Sequence, residues 1–176
     1  ISSYSQTSLK PWEIKIGGNF VNIDSDNVKS DLSIGGPSLS ISRLLFGNFS
    51  FGGQISLNNV KGESFPSDLA YYSLDGFLKY TLFTSGSLNP YLFAGYGFSS
   101  FDDGAENKKG PFPSFDVSET PLGGVGFDIS LSEKFSINLS SSYRYADELK
   151  SYKHFQHVVG LSFKPGTNDS DGDKVK

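Results

Sequence analysis

The sequence has no cysteine and no methionine. Without thiols it has no disulfide frame, no thiol nucleophile and no thiolate metal site. It also lacks any run of about 18 apolar residues, which excludes a transmembrane helix. Charge is scarce: 19 % of the 176 residues are Asp, Glu, Lys or Arg, against about 25 % in an average soluble domain. The formal net charge of −4 offers no basic field for nucleic acid. The two histidines, His154 and His157, sit three apart in one strand-like stretch, so they face opposite sides and cannot hold one metal together. Both read as interface or loop histidines. No Ser/His/Asp arrangement can be placed, and the glycine pairs Gly17-Gly18, Gly35-Gly36 and Gly52-Gly53 lead into no helix, as a phosphate loop would. Position 1 is Ile rather than Met, and prior removal of a secretory signal is the expectation.

What is present is glycine (20 residues), aromatics (15 %) and a two-residue alternation. Phe135, Ile137, Leu139, Ser141, Tyr143 and Tyr145 interleave with Ser136, Asn138, Ser140, Ser142 and Arg144. Such a period belongs to a strand with one oily and one polar face. The same pattern predicts strands over about 11–22, 34–45, 49–60, 71–83, 90–101, 121–132, 135–145 and 154–164. In the fifth, Tyr91 and Phe93 lie on the face opposite Leu92 and Tyr96, so its faces stay ambiguous.

The connections alternate. Those after the second, fourth and sixth strands are tight, at 46–48, 84–89 and 132–134, while the others are long, the longest being 102–119. In an up-and-down sheet all tight turns then share one end with both termini, and all long loops share the other. Short periplasmic turns with long outer loops are the pattern of outer-membrane barrels. About eleven residues per strand, tilted near 45°, cross roughly 25 Å, the height of the apolar band in such a barrel. The expected fold is therefore all-β, an eight-stranded antiparallel up-and-down transmembrane β-barrel over 11–164. Residues 1–10 form an N-terminal periplasmic segment, and 165–176 form an acidic periplasmic linker.

Periodicity alone leaves open which face points outward. A soluble, lipocalin-like lipid carrier has the same period with the faces reversed. Composition favours lipid outside, because the polar face is mostly Ser, Gly and Asn, whereas a water-facing strand surface is rich in Lys, Glu, Asp and Thr. Small residues suit the crowded interior of eight strands. The charges on that face, Glu13, Lys15, Asp75, Lys79, Asp128 and Arg144, sum to zero and predict a neutral interior network, since unpaired charges there are costly. Aromatics gather near strand ends. Trp12, Phe49, Tyr91, Phe135 and Phe163 are assigned to a turn-end belt. Phe20, Tyr72, Phe101, Tyr145 and Phe155 are assigned to a loop-end belt, as membrane interfaces select.

Two short motifs carry a resemblance. Asn89-Pro90-Tyr91-Leu92-Phe93-Ala94-Gly95-Tyr96-Gly97 opens the fifth strand, and Gly123-Gly124-Val125-Gly126-Phe127 lies in the sixth. In this order within eight strands, the chain resembles the N-terminal barrel of OmpA-like outer-membrane proteins, most closely those of Bacteroidota, over about 11–164. Val159-Gly160-Leu161-Ser162-Phe163 ends in an aromatic that looks like the family's signal to the barrel assembly machinery. Asn168-Asp169-Ser170-Asp171-Gly172-Asp173-Lys174-Val175 looks like the start of a thrombospondin type 3-like linker. In many such proteins that linker leads to a peptidoglycan-binding domain.

The resemblance implies a non-enzymatic anchor in the outer membrane, with its termini periplasmic and its long loops extracellular. Its partners would be membrane lipid and lipopolysaccharide, and peptidoglycan through a further domain. A place in a larger outer-membrane complex, an assembly or secretion machinery, is compatible with it. No cofactor is expected except calcium in the linker, where Asp169, Asp171 and Asp173 alternate as hard oxygen ligands do. The competing description of that segment is a solvated acidic tail. An alternative function is a barrel enzyme with a loop site built from Asp102, Asp103, Glu106, Asp147 and Glu148. Lys108, Lys109, Lys150 and Lys153 interrupt these carboxylates as on an ordinary solvated surface.

Overall fold

The computed structural model describes residues 11–24, 33–61, 68–102, 118–146 and 152–165. Eight strands follow one another: β1 (Trp12–Ile23), β2 (Ser33–Phe46), β3 (Phe49–Val60), β4 (Leu69–Thr81), β5 (Leu88–Asp102), β6 (Ser118–Ser130), β7 (Phe135–Arg144) and β8 (His154–Phe163). Each pairs antiparallel with the next, and β1 pairs with β8 from Ile14↔Phe163 to Ile23↔His154, closing the barrel. Closure leaves no strand edge unpaired, which is what a sheet in lipid requires. β4 and β6 start nearer the loop end than the alternation predicted, at Leu69 and Ser118, and end at Thr81 and Ser130, with the hydrogen bonds of Leu82 and Leu131 carrying the ladder on into the turns. Leu82 N–H donates to Pro90 O, and the Leu131 and Ser132 N–H groups both donate to Phe135 O.

The register sets the tilt. Glu13 pairs with Ser42, Ser42 with Gly52, Gly52 with Phe77, Phe77 with Gly95, Gly95 with Leu122, Leu122 with Arg144, and Arg144 with His154. His154 returns to β1 at Ile23 rather than Glu13. A stagger of about ten residues around eight strands corresponds to a tilt of about 45° and a bore that side chains can fill.

Small residues make that filling possible. Inward aromatic rings lie opposite glycines on the neighbouring strand: Phe77 opposite Gly52, Tyr91 opposite Gly126 and Phe93 opposite Gly124. A Cβ on any of these glycines would overlap the facing ring. At the loop end of β1 the register shifts between Gly18 and Phe20. The buried Asn19 fills this bulge, donating to Gly36 O (3.0 Å) and Leu57 O (2.6 Å), while Asn58 Nδ2 donates to Asn19 O (3.3 Å). The bulge is thereby satisfied by side-chain amides rather than by ladder bonds. The tightest turn, between Phe46 and Phe49, places Gly47 at φ 52°, a left-handed conformation that costs glycine little.

Candidate functional site

The two faces of the wall have opposite chemistry. Leu161 (53 % exposed), Leu78 (52 %) and Ile55 (50 %) face out, whereas Glu13 (0 %) and Arg144 (1 %) are buried inside. A soluble carrier would show the reverse, an apolar cavity within a polar shell. The lipocalin-like alternative is therefore overturned by the orientation of the side chains.

Near the turn end, β1, β4, β6 and the residue after β8 bring ionic groups into one cluster. Lys15 Nζ lies 3.0 Å from Asp128 Oδ1 and 3.7 Å from Glu13 Oε2. Lys79 pairs directly with Glu13 and stands 3.9 Å from Asp128. Lys164 Nζ lies 3.9 Å from Glu13 Oε1 and donates to Ser136 Oγ (3.2 Å). Hydroxyls and amides complete the shell. Ser162 donates to Glu13 (2.8 Å), and Asn138 Nδ2 reaches both Asp128 and the Tyr91 hydroxyl (2.8 Å each). The Lys15 ammonium also sits 4.5 Å from the Tyr91 ring centroid, close enough for a cation–π contact. Each buried charge thus meets opposite charge and hydrogen-bond partners, the condition for tolerating charge in a low-dielectric interior.

Toward the loop end the arrangement is narrower. Arg144 grips Asp75 with both terminal nitrogens, Nη1 reaching Oδ1 at 2.5 Å, and its Nε donates to Gln156 Oε1 at 2.9 Å. Beyond this pair lies an apolar plug of Val21, Ile23, Val60, Leu69 and Tyr71, with Phe101 and Tyr152 packed against it. His154 is buried in the same place, edge-on to Tyr71 and Phe101. Its Nδ1 lies 2.8 Å from Tyr152 O, an acceptor, so Nδ1 carries a proton. In the neutral ring Nε2 then accepts from the Tyr71 hydroxyl at 3.0 Å. The expectation of an interface or loop histidine is thus corrected for His154, while His157 sits half-buried on the opposite face.

All six charges predicted for the polar face lie inside, divided between these two groups. Lys164, Gln156, Asn138 and Tyr91 were not predicted to join them, and the expected zero sum is corrected, since Lys164 adds a third lysine beside Glu13 and Asp128 among the described residues. Of the aromatics assigned to belts, Trp12, Phe49, Phe135 and Phe163 are exposed at the turn end, and Tyr72, Tyr145 and Phe155 toward the loop end, with Phe20 half-buried. Tyr91 and Phe101 belong to neither belt, since both turn inward, Tyr91 onto the ionic cluster and Phe101 onto the plug. Asp169, Asp171 and Asp173, like Asp103, Glu106, Asp147 and Glu148, lie outside the described residues.

Residues 1–164 match the outer membrane protein beta-barrel domain. The chain belongs to this family. It is a bacterial outer-membrane β-barrel protein. The barrel is similar to solved outer-membrane structures. OprG from Pseudomonas aeruginosa is 17 % identical with a TM-score of 0.64, covering 94 % of this chain and 100 % of its own. Ail, the attachment invasion locus protein of Yersinia pestis, is 17 % identical with a TM-score of 0.60, covering 89 % and 99 %. The N-terminal β-barrel domain of Pseudomonas aeruginosa OprF is 17 % identical with a TM-score of 0.51, covering 86 % and 96 %. At such identities the likeness is one of fold. No curated protein matches the chain.

Proposed function

We propose that this barrel is the membrane anchor of an OmpA-like protein of the Bacteroidota type. It tethers the outer membrane to peptidoglycan through a periplasmic domain joined by the acidic segment at 168–175. The observation that carries this reading is the filled interior. Two ionic groups, inward rings and an apolar plug occupy the bore, so the barrel's role is to stay in the membrane rather than to conduct. The rhythm of short turns and long connections supports periplasmic termini and extracellular loops. OprF supplies the analogy of a barrel that is the N-terminal domain of its protein. In this reading the loops contact lipopolysaccharide or a partner in a larger outer-membrane complex, the barrel has no enzymatic role, and the linker aspartates take up calcium.

Co-sedimentation with purified peptidoglycan sacculi tests the tether. The full-length parent protein pellets with the sacculi and a form ending at residue 164 stays in solution. Equal behaviour of the two would refute the tether. Planar-bilayer recordings of the refolded barrel show no large steady conductance, and an open channel would remove the premise.

A further inference from the structure

The strands turn charge outward sparingly, and the sign differs between the two ends. Lys15, Lys79 and Arg144 all point inward. Arg43 of β2 is the exception among the strand cations of the described residues. It stands on the outer face, in register with Trp12 of β1 and Phe51 of β3. At the loop end the outward charge on β6 is acidic, Glu119, which accepts from the Tyr96 hydroxyl (2.5 Å).

The Arg43 guanidinium carbon lies 5.4 Å from the Trp12 ring centroid. Among the described residues no carboxylate reaches it, and the ring is its partner. Its neighbours on the outer face are Ile41, Leu45 and Phe51, all exposed and apolar. A cation in an aromatic girdle, with apolar surface around it, needs an anion from the surroundings. The guanidinium is planar and presents a fork of N–H donors, the geometry that grips two oxygens of a phosphate. The exposed apolar side chains beside Arg43 are a surface that acyl chains cover in a bilayer, which brings the phosphate of the same lipid to the level of the guanidinium.

We infer that Arg43, held over the Trp12 ring, is a headgroup site for the phosphate of a phospholipid in the leaflet at the turn end. The site keeps the turn end at a fixed depth. It depends on membership of the outer-membrane barrel family and not on the tether, so either can fail without the other.

Trp12 is the chain's single tryptophan, which makes the site its own reporter. The full chain, refolded in octyl glucoside micelles that contain no phosphate, is titrated with dihexanoyl phosphatidylglycerol while Trp12 emission is read. The native barrel gives a saturable change. Arg43→Gln weakens it about tenfold or more, the scale of a lost charged hydrogen bond. Heat-modifiable gel migration verifies that the variant is still a closed barrel, and Arg43→Lys, which keeps the charge and loses the fork, falls between the two. Three results overturn the inference: Arg43→Gln titrating like the native protein, dihexanoylglycerol producing the same change, or inorganic phosphate saturating the signal equally. The last would make this a free-anion site instead of a lipid one.

Discussion

At the turn end of the bore Glu13, Lys15, Lys79, Asp128 and Lys164 share one space, whereas toward the loop end Asp75 and Arg144 hold each other across it. In the cluster every carboxylate has more than one ammonium within reach, and Lys15 is still 13 % exposed at its side chain. In the pair both side chains are almost fully enclosed, and one bidentate contact carries the charge balance. Redundancy at one end and exclusivity at the other imply different sensitivities to losing a single group. The largest effect is therefore expected at the pair. Arg144→Met leaves Asp75 buried with no cation and costs about 3–5 kcal/mol, read by equilibrium urea unfolding in micelles. Asp75→Leu together with Arg144→Met recovers most of that loss, because an apolar replacement of both partners is close to neutral. A loss no larger than that of Lys15→Met would erase the distinction between the two ends.

The same contrast extends through the wall. Inside, charge is tolerated where it is paired, and outside it meets lipid. Arg placed singly at Ile55, Leu139 or Leu161 costs about 2–4 kcal/mol near the midplane, measured as insertion and folding yield into lipid vesicles. Near-wild-type insertion of all three would mean that these exposed positions face something other than lipid.

The fold was largely legible because a two-residue period is a geometric property of strands. Face assignment followed wherever each face had one chemistry, as in β7, and it placed Glu13, Lys15, Asp75, Lys79, Asp128 and Arg144 on the inner side. Strand β5 defeats this rule, since Tyr91, Leu92 and Phe93 are apolar on both parities. A cross-strand signal was available. Tyr91 and Phe93 fall opposite Gly126 and Gly124, large against small, as a narrow interior demands. Proximity to a strand end placed Tyr91 and Phe101 in the belts, but rings near an end also fit inside the bore, Tyr91 against the ionic cluster and Phe101 against the plug. Lys164 was open to the same rule, since the predicted eighth strand reaches 164 and its parity is that of the inward Gln156 and Ser162, but as the last position of that strand it was not counted with the inner charges. His154 escaped because its neighbours Tyr71 and Phe101 come from strands far away in sequence. Contacts of that kind exist only after closure.

The ring-on-glycine pairs sharpen the comparison between the ends at smaller cost. Gly126→Ala pushes against Tyr91, whose hydroxyl is tied to Asn138 and whose ring lies under Lys15. The expected loss is about 1–3 kcal/mol, the usual range for overpacking. Tyr91→Leu in the same molecule relieves the clash, so the double variant is more stable than the sum of the single losses. Strict additivity would mean that the ring yields freely and the cluster does not depend on its position.

The smallest effect is expected at Lys164. Among the described residues the turn-end cluster counts three ammoniums, Lys15, Lys79 and Lys164, against the carboxylates of Glu13 and Asp128. Removing Lys164 leaves those carboxylates with an equal number of cations, and Lys15 and Lys79 already contact both of them. A methionine keeps most of the side-chain volume, so Lys164→Met shifts stability by no more than about 1 kcal/mol. It follows that Lys164→Met and Arg144→Met, each the loss of one enclosed cation, should differ several-fold in urea unfolding. If they cost the same, the cluster needs its third cation as strictly as Asp75 needs Arg144, and redundancy is not what separates the two ends of the barrel.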